Sequence, residues 1–477
     1  MKKYLLLGLL SFTFIGLLIG CDSNKDDKDT SDKKEIKTIT WQTRRDLSDY
    51  QDYFNQILKE KGYPYQVEFS TKEENKKVDI LDIGSNLWKK TYNDIKPIVD
   101  KKVIPLDSYF QTKEGKKLKA TLPQNVWDAY KVNGKQYGVL STGYAPFQTA
   151  YIWDKTLADK YQIHPETWTE EIWKYKEDLE KVYNGENKNN ILTTAYFWET
   201  LSCPLEYTYV LGHCYPLVIN EKEDLTTAQF LYDSEKYREN VKGISSLYNA
   251  GLYSPEQETA LDNPKIFLEA SSTFVSKEAY AFQIGDEHFW ETHEAKILKE
   301  EPLWKLTCSA VETGISSECP YPEDAFRLLC AVYTDKDLTN AILWGEKNVH
   351  FNVNGNFAVE LGTKNRNAIN NHLGNPLIGY TEVGQDPNRE TLYPERMKNA
   401  TPSKLLGFNF IGKNCTTELE NIFQVWYKDY SALVTNPANS LLEQGNLRQQ
   451  YKNAGIDKVI AEWNREFQEW RETQKAR

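Results

Sequence analysis

From Ile36 onward the chain alternates short strands with amphipathic helices, and that order restricts the fold more than any other feature. Ile36-Lys37-Thr38-Ile39-Thr40-Trp41 alternates apolar with polar residues, the period-two pattern of a half-buried strand. The loop Gln42-Thr43-Arg44-Arg45-Asp46-Leu47-Ser48-Asp49 leads into a helix expected over 49–61, stopped by Gly62. Residues 65–69 and 78–83 read as the second and third strands. A β-helix-β order implies a sheet with crossover helices, so the fold class is α/β. Such sheets bind ligands beyond the carboxyl ends of their strands. Those ends are Arg44-Arg45-Asp46 and Gly84-Ser85-Asn86-Leu87-Trp88.

Further along, Val132-Asn133-Gly134-Lys135-Gln136-Tyr137-Gly138-Val139 reads as a hairpin with Asn-Gly as its turn. Residues 140–149 are irregular, 150–153 form a strand, and 155–161 a helix. Thr167-Trp168-Thr169-Glu170-Glu171 has the acidic first turn of a helix start. Helices are expected at 235–250 and 322–345, and at 456–470, where Ile456, Val459, Ile460, Trp463, Phe467 and Trp470 share one face. No internal repeat interrupts this order.

The N-terminus obeys different rules. Lys2 and Lys3 precede an almost wholly apolar stretch at 4–19, the plan of a secretory signal peptide over residues 1–20. The stretch is short for a span, which needs about 20 apolar residues. Leu18-Ile19-Gly20-Cys21 resembles a lipobox, in which a small residue permits cleavage before a lipid-carrying cysteine. Acyl chains on Cys21 supply the two-chain anchoring that stable membrane attachment requires. Residues 21–35 then read as a disordered, charged tether with nothing to bury.

What remains after position 20 of 477 residues is too long for one core and implies two large lobes. The net charge of −11 argues against nucleic acid as a partner and against docking on anionic lipid. Beyond Cys21, Cys203, Cys214, Cys308, Cys319, Cys330 and Cys415 leave two outcomes open, disulfides or buried thiols. No Cys-x-x-Cys knuckle occurs. His288 and His293, five apart, do not share the helical face that a zinc pair requires. Phosphate loops and the Gly-x-Ser-x-Gly turn are also missing, so no catalytic set, metal site or cofactor is expected.

Several segments together resemble the extracellular solute-binding lipoproteins of ABC importers, in the family-1 group that takes up sugars and oligosaccharides. Asn133-Gly134-Lys135-Gln136-Tyr137-Gly138 is similar to the family's hairpin before the first lobe crossing. Tyr151-Ile152-Trp153-Asp154 with Thr167-Trp168-Thr169-Glu170, and Pro322-Glu323-Asp324-Ala325, resemble its later element starts. Trp344-Gly345-Glu346-Lys347-Asn348-Val349-His350-Phe351 resembles the Gly-x-x-x-x-His-Tyr stretch of one lipoprotein subgroup, with Phe351 in place of Tyr. Leu406-Gly407-Phe408-Asn409-Phe410 and the helix from Gly455 resemble that subgroup's C-terminal domain, although Ile411 stands where an acidic residue is common.

The resemblance implies a type II, two-lobed periplasmic-binding-protein-like fold, with mixed sheets flanked by helices and a ligand cleft between the lobes. Lobe 1 would take 36–143 and 302–345, and lobe 2 would take 144–301 and 346–477. It implies a non-enzymatic monomer on the extracellular face of a Gram-positive cell membrane, anchored through Cys21. Its partners would be a carbohydrate ligand and ABC permease subunits. A surface glycan-processing enzyme and a sensory binding protein are the alternative readings.

A sugar cleft needs flat aromatic faces and paired polar groups. The strand-end loops offer Trp41, Arg44, Arg45, Asp46, Ser85, Asn86 and Trp88, the arginines as planar forks toward hydroxyls or a carboxylate. By the resemblance, Tyr144 lies at the hinge and Tyr196 and Trp198 sit where the second lobe presents a stacking aromatic. Trp290 and Trp344 complete the candidates. For Trp41, Trp290 and Trp344 the competing role is core packing.

Overall fold

The computed structural model describes residues 36–475 apart from 44–45, 72–76, 84–97, 99, 142–146, 187–190, 196–200, 213, 224–226, 255–264, 275, 285, 287, 301, 303–310, 356, 362–372, 383–385 and 436. The expected signal peptide, Cys21 and the tether lie outside the described residues.

Two sheets organise the chain. The first contains β1 (Lys37–Thr43), β2 (Tyr65–Thr71), β3 (Ile80–Asp82), β4 (Gly138–Ser141) and a late strand, Val311–Ile315, in the order β2-β1-β3-late strand-β4. β1 pairs in parallel with β2 and with β3, while Val311–Ile315 runs antiparallel to both β3 and β4. The four early strands therefore point the same way. In β1 the pattern is as the alternation predicts: Ile39, Trp41 and Thr43 are buried and the residues between them are partly exposed.

Helix Ser48–Glu60 covers this sheet with Tyr50, Phe54, Ile57 and Leu58, the i, i+4, i+7, i+8 stripe of an amphipathic helix. Its other service is polar. The Asn55 carboxamide accepts from the Val67 amide (2.7 Å) and donates to the Val67 carbonyl (2.9 Å), and Gln51 accepts from the Phe69 amide (2.8 Å). β2 is an edge strand, and these side chains occupy backbone groups that would otherwise template another strand.

The second sheet holds β5 (Gln148–Asp154), β6 (Ile191–Ala195) and two later strands, Lys265–Phe274 and His293–Glu300. β5 lies between the two later strands, antiparallel to both, and β6 runs parallel to Lys265–Phe274. Nearly every β5 residue is buried, as a central strand covered on both faces requires.

Each sheet has its own hydrophobic core. The first includes Ile39, Trp41, Phe54, Trp127, Leu329, Tyr333 and Trp344; the second includes Tyr151, Trp153, Trp168, Leu217, Ile244 and Phe267. The segment after Trp344 departs from the expected division. Phe351, Ala358, Leu373, Leu377, Tyr393 and Met397 pack in the first core, and only from Leu405 onward does the chain join the second. The physical reason is the hairpin of Phe351–Asn354 with Phe357–Glu360, whose Phe351 ring lies 6.0 Å from Trp344. The C-terminal helices Thr416–Thr435, Pro437–Ala454 and Ile456–Lys475 complete the second core. Ile456, Val459, Trp463 and Phe467 are buried there, with Ile460 and Trp470 packed against them.

Two local expectations are altered. Thr167–Glu171 starts no α-helix; Trp168 is buried and stacks on Tyr175 (4.8 Å, 8°), and the helix begins at Lys176. The expected helix at 322–345 divides at Asp335, whose carboxylate accepts from the Asp337 and Leu338 amides and so starts a second helix. The Asn133-Gly134 turn forms with both residues at positive φ, joined by paired Val132–Lys135 bonds. Cys319, Cys330 and Cys415 are thiols, and the Cys203 thiol donates to the Pro204 carbonyl. Burial pushes Cys330 and Cys415 up to about 12, which leaves them unreactive. Among the described residues no helix is long and apolar enough to cross a membrane.

Candidate functional site

The strand directions define two sheet edges at which the candidate residues are expected. In the first sheet the carboxyl ends Thr43, Asp82 and Ser141 share one edge, and Val311–Ile315 begins at that edge, because Val311 pairs with Ser141 and Thr313 with Asp82. In the second sheet Ala195, Phe274 and Glu300 end at one edge, where β5 begins at Gln148. The chain leaves the first edge at Ser141 and enters the second at Gln148; it returns from Glu300 to Val311. Seven residue steps reach at most about 25 Å, so Ser141 and Gln148, at the two edges, lie within that distance of one another. A third crossing, from Met397 in the first core to Leu405 in the second, spans the same pair of bodies. Three passages of chain thus join the two bodies.

The described rim is polar. Thr43, Asp82, Ser141 and Thr313 are buried at the first edge, and Thr193 and Thr194 near the second. The hydroxyls of Ser141, Thr193 and Thr194 are buried without a hydrogen-bond partner among the described residues. The Tyr333 hydroxyl lies 3.2 Å from that of Thr313. Burial raises its pKa, with Asp82 adding to the rise, so it serves as a neutral hydrogen-bonding group. At the second edge Gln148 donates to Glu300 (2.8 Å). Burial lowers the Arg396 guanidinium, against the opposing pull of Glu300, Tyr393 and Asp386. None of these residues stood out in sequence. Gln148 and Glu300 are 152 positions apart, and only the antiparallel register joins them.

Of the aromatic candidates, three take the packing role. Trp41 is fully buried in the first core, 6.2 Å from Phe69, because its position on β1 shares the inward face of Ile39. Trp344 is buried against Phe351. Trp290 is half-buried in a cluster with Phe274, Tyr280 and Phe289 on the other face of the second sheet, its indole donating to the Lys277 carbonyl and the Lys277 ammonium 5.0 Å over its ring. Asp46 is exposed, and its carboxylate accepts from the Ser48 amide (2.9 Å), leading the chain into its first helix. Arg44, Arg45, Ser85, Asn86, Trp88, Tyr144, Tyr196 and Trp198 lie outside the described residues. The strand ends that precede them, Thr43, Asp82, Ser141 and Ala195, belong to the two edges. Among the described residues no cluster of histidine, cysteine or carboxylate side chains has the arrangement of a metal site.

The Gly-x-x-x-x-His stretch proves to be a joint. Gly345 ends helix Lys336–Trp344 at φ 76°, and the His350 imidazole accepts from the Glu346 amide (2.9 Å) while packing on Tyr50 at 4.9 Å. A side chain at Gly345 would meet both His350 and Tyr50 at 2.7 Å, so glycine is needed for conformation and for space.

Comparisons with known proteins agree with this geometry. Residues 404–472 match the family described as Domain of unknown function (DUF3502). The chain is 21% identical over 385 residues to a carbohydrate ABC transporter substrate-binding protein of Streptococcus pneumoniae serotype 4 (strain ATCC BAA-334 / TIGR4), covering 76% of this chain and 75% of that one. Among solved structures it resembles the N-glycan transport solute binding protein NgtS of Streptococcus pneumoniae, with a TM-score of 0.62, 17% identity, and coverage of 91% of this chain and 98% of that one. The complex of the same protein with Man1GlcNAc gives a TM-score of 0.59 at 18% identity, with coverage of 91% and 99%. These relatives are named as binding proteins of transporters, not as enzymes. The chain has the two-lobed α/β fold of the ABC-transporter solute-binding proteins and resembles them over most of its length.

Proposed function

We propose that this chain captures a carbohydrate between its two facing sheet edges and delivers it to an ABC permease. Acyl chains on Cys21 would hold it at the outer face of the cell membrane. The observation that carries the reading is the pair of sheets with separate cores joined by three chain crossings, an arrangement suited to closing over a ligand. The name of the pneumococcal relative and the glycan bound by the neighbouring structure point to carbohydrate. Arg44, Arg45, Asp46, Ser85, Asn86, Trp88, Tyr144, Tyr196 and Trp198 are the proposed lining. Trp41, Trp290 and Trp344 belong to packing.

The chain without residues 1–20 is titrated with Man1GlcNAc and a panel of other oligosaccharides while tryptophan fluorescence is followed. Saturable change without product formation supports capture; no response to any glycan overturns it, and turnover of the glycan favours a processing enzyme instead. Attachment is tested separately. Cys21→Ser should release the protein from the membrane fraction, and retention there would refute the lipid anchor.

A further inference from the structure

The third crossing does more than connect the lobes. Its first flank packs in the first core through Tyr393 and Met397, yet just before them Asp386, 1% exposed, accepts a hydrogen bond from the Ser276 hydroxyl. Ser276 follows strand Lys265–Phe274 of the second sheet. Its second flank packs in the second core through Leu405, Phe408 and Phe410, yet the Asn409 carboxamide donates to the Lys131 carbonyl at 2.8 Å. Lys131 lies between Tyr130 of the first core and Val132, which packs on Ile83 just beyond β3. Each flank is thus rooted in one lobe and hydrogen-bonded to the other.

Both ends of this device are built firmly. The Asp386 carboxylate also accepts from the Asn388 amide (2.7 Å), at the entry to helix Arg389–Asn399. On the second flank Phe408 stands edge-on to Trp463 (5.3 Å) and Phe467 (5.1 Å), which fixes the residue beside Asn409. The Ser403 hydroxyl donates to Glu221 (2.7 Å), tying the end of the passage to the second lobe. Neither bonded pair belongs to the proposed ligand lining.

We infer that residues 386–409 form a reciprocal brace, in which the Ser276–Asp386 and Asn409–Lys131 bonds set the relative position of the lobes and so the open–closed equilibrium. A ligand sees the two states with different affinity, so a contact that biases the equilibrium changes apparent affinity without touching the ligand. The inference rests on the carbohydrate reading only for its affinity measurement.

The test uses Ser276→Ala and Asn409→Ala, each with a folding check by circular dichroism, and Ser276→Thr as the variant that keeps the hydroxyl. Small-angle X-ray scattering without ligand reads the brace directly. The pair-distance distribution should change in Ser276→Ala and in Asn409→Ala and stay that of the parent in Ser276→Thr. Affinity for Man1GlcNAc should change by about 2- to 10-fold, the range that one net hydrogen bond allows. Every other panel glycan that binds should change by the same factor. Folded variants whose scattering matches the parent overturn the brace, as do glycan-dependent factors, which would signify an altered binding surface. Changed scattering in a chain that binds no glycan supports the brace and overturns the carbohydrate reading.

Discussion

The two lobes reach similar burial by opposite routes. Apart from its late strand, the helices at 322–344 and the segment 351–397, the first is built in chain order: strand, covering helix, strand, with polar side chains clipping the exposed edge. The Asn55 and Gln51 bonds to β2 are of this kind. The second lobe closes its core with residues more than two hundred positions away. Phe230 and Tyr232 meet Tyr451 at 6.0 and 5.5 Å, and Asn464 pairs with both backbone groups of Ala228. One lobe gains much of its order from local bonds, while the other waits for its C-terminal helices. That difference predicts unequal responses to substitution.

The largest response should come from Trp463→Ala. Its ring is fully buried, 5.0 Å from Phe467 and 5.3 Å from Phe408. Truncating a buried aromatic costs about 3–5 kcal/mol through lost transfer energy and the cavity left behind. In urea unfolding the second lobe should melt early while the first keeps its transition. A single shifted transition for the whole chain would break the comparison, because the cores would then be one cooperative unit. The Trp463 indole nitrogen is buried without a hydrogen-bond partner among the described residues, so Trp463→Phe should recover most of the loss.

The same contrast explains what could be read beforehand. The first lobe was legible because each element's pattern is satisfied by its sequence neighbours: β1 alternates, helix Ser48–Glu60 carries one stripe, and Gly62 stops it. The final helix was legible too, since its stripe needs a partner but does not say which. The allegiance of 346–399 was not legible. Phe351, Tyr393 and Met397 are apolar residues that either core would accept, and only the hairpin packed on Trp344 decides. For the site, the strand ends Thr43 and Asp82 do share one edge, but direction along a strand does not tell which face a side chain takes. Trp41 looked like a rim residue by its place near the carboxyl end, and the period of two turns it inward.

Asn55→Ala sharpens the first lobe's side of the comparison. It removes both bonds to Val67 and leaves an edge amide and carbonyl without that partner. The expected cost is about 1–3 kcal/mol in urea unfolding, confined to the first lobe. Light scattering should also show increased association, since the uncovered edge of β2 can pair with another chain. Loss of stability in the second lobe instead would contradict the local character assigned to the first.

The smallest effects should appear in acid, with opposite signs in the two lobes. In the first, burial works to raise the Asp335 carboxyl, but the Lys61 ammonium and the Leu338 and Asp337 amides outweigh it and hold it below its usual value. A depressed folded pKa gives stability that is present above the unfolded value near about 3.9 and is lost as pH falls through the folded one. In the second, the Glu466 carboxyl is raised: burial dominates, although it accepts from the Ile411 (2.6 Å) and Gly412 (3.0 Å) amides. Its unfolded form releases the proton first, so Glu466 lowers stability as pH climbs from the unfolded value near about 4.3 through the folded one, and that penalty disappears in acid. Thermal unfolding followed from pH 7 down to pH 3 should therefore show Asp335→Asn removing part of the first lobe's acid sensitivity. Glu466→Gln should raise the second lobe's midpoint at pH 7 relative to the parent and narrow that advantage toward pH 3. Equal acid profiles for Glu466→Gln and the parent would mean that the two backbone amides, rather than burial, govern that carboxylate.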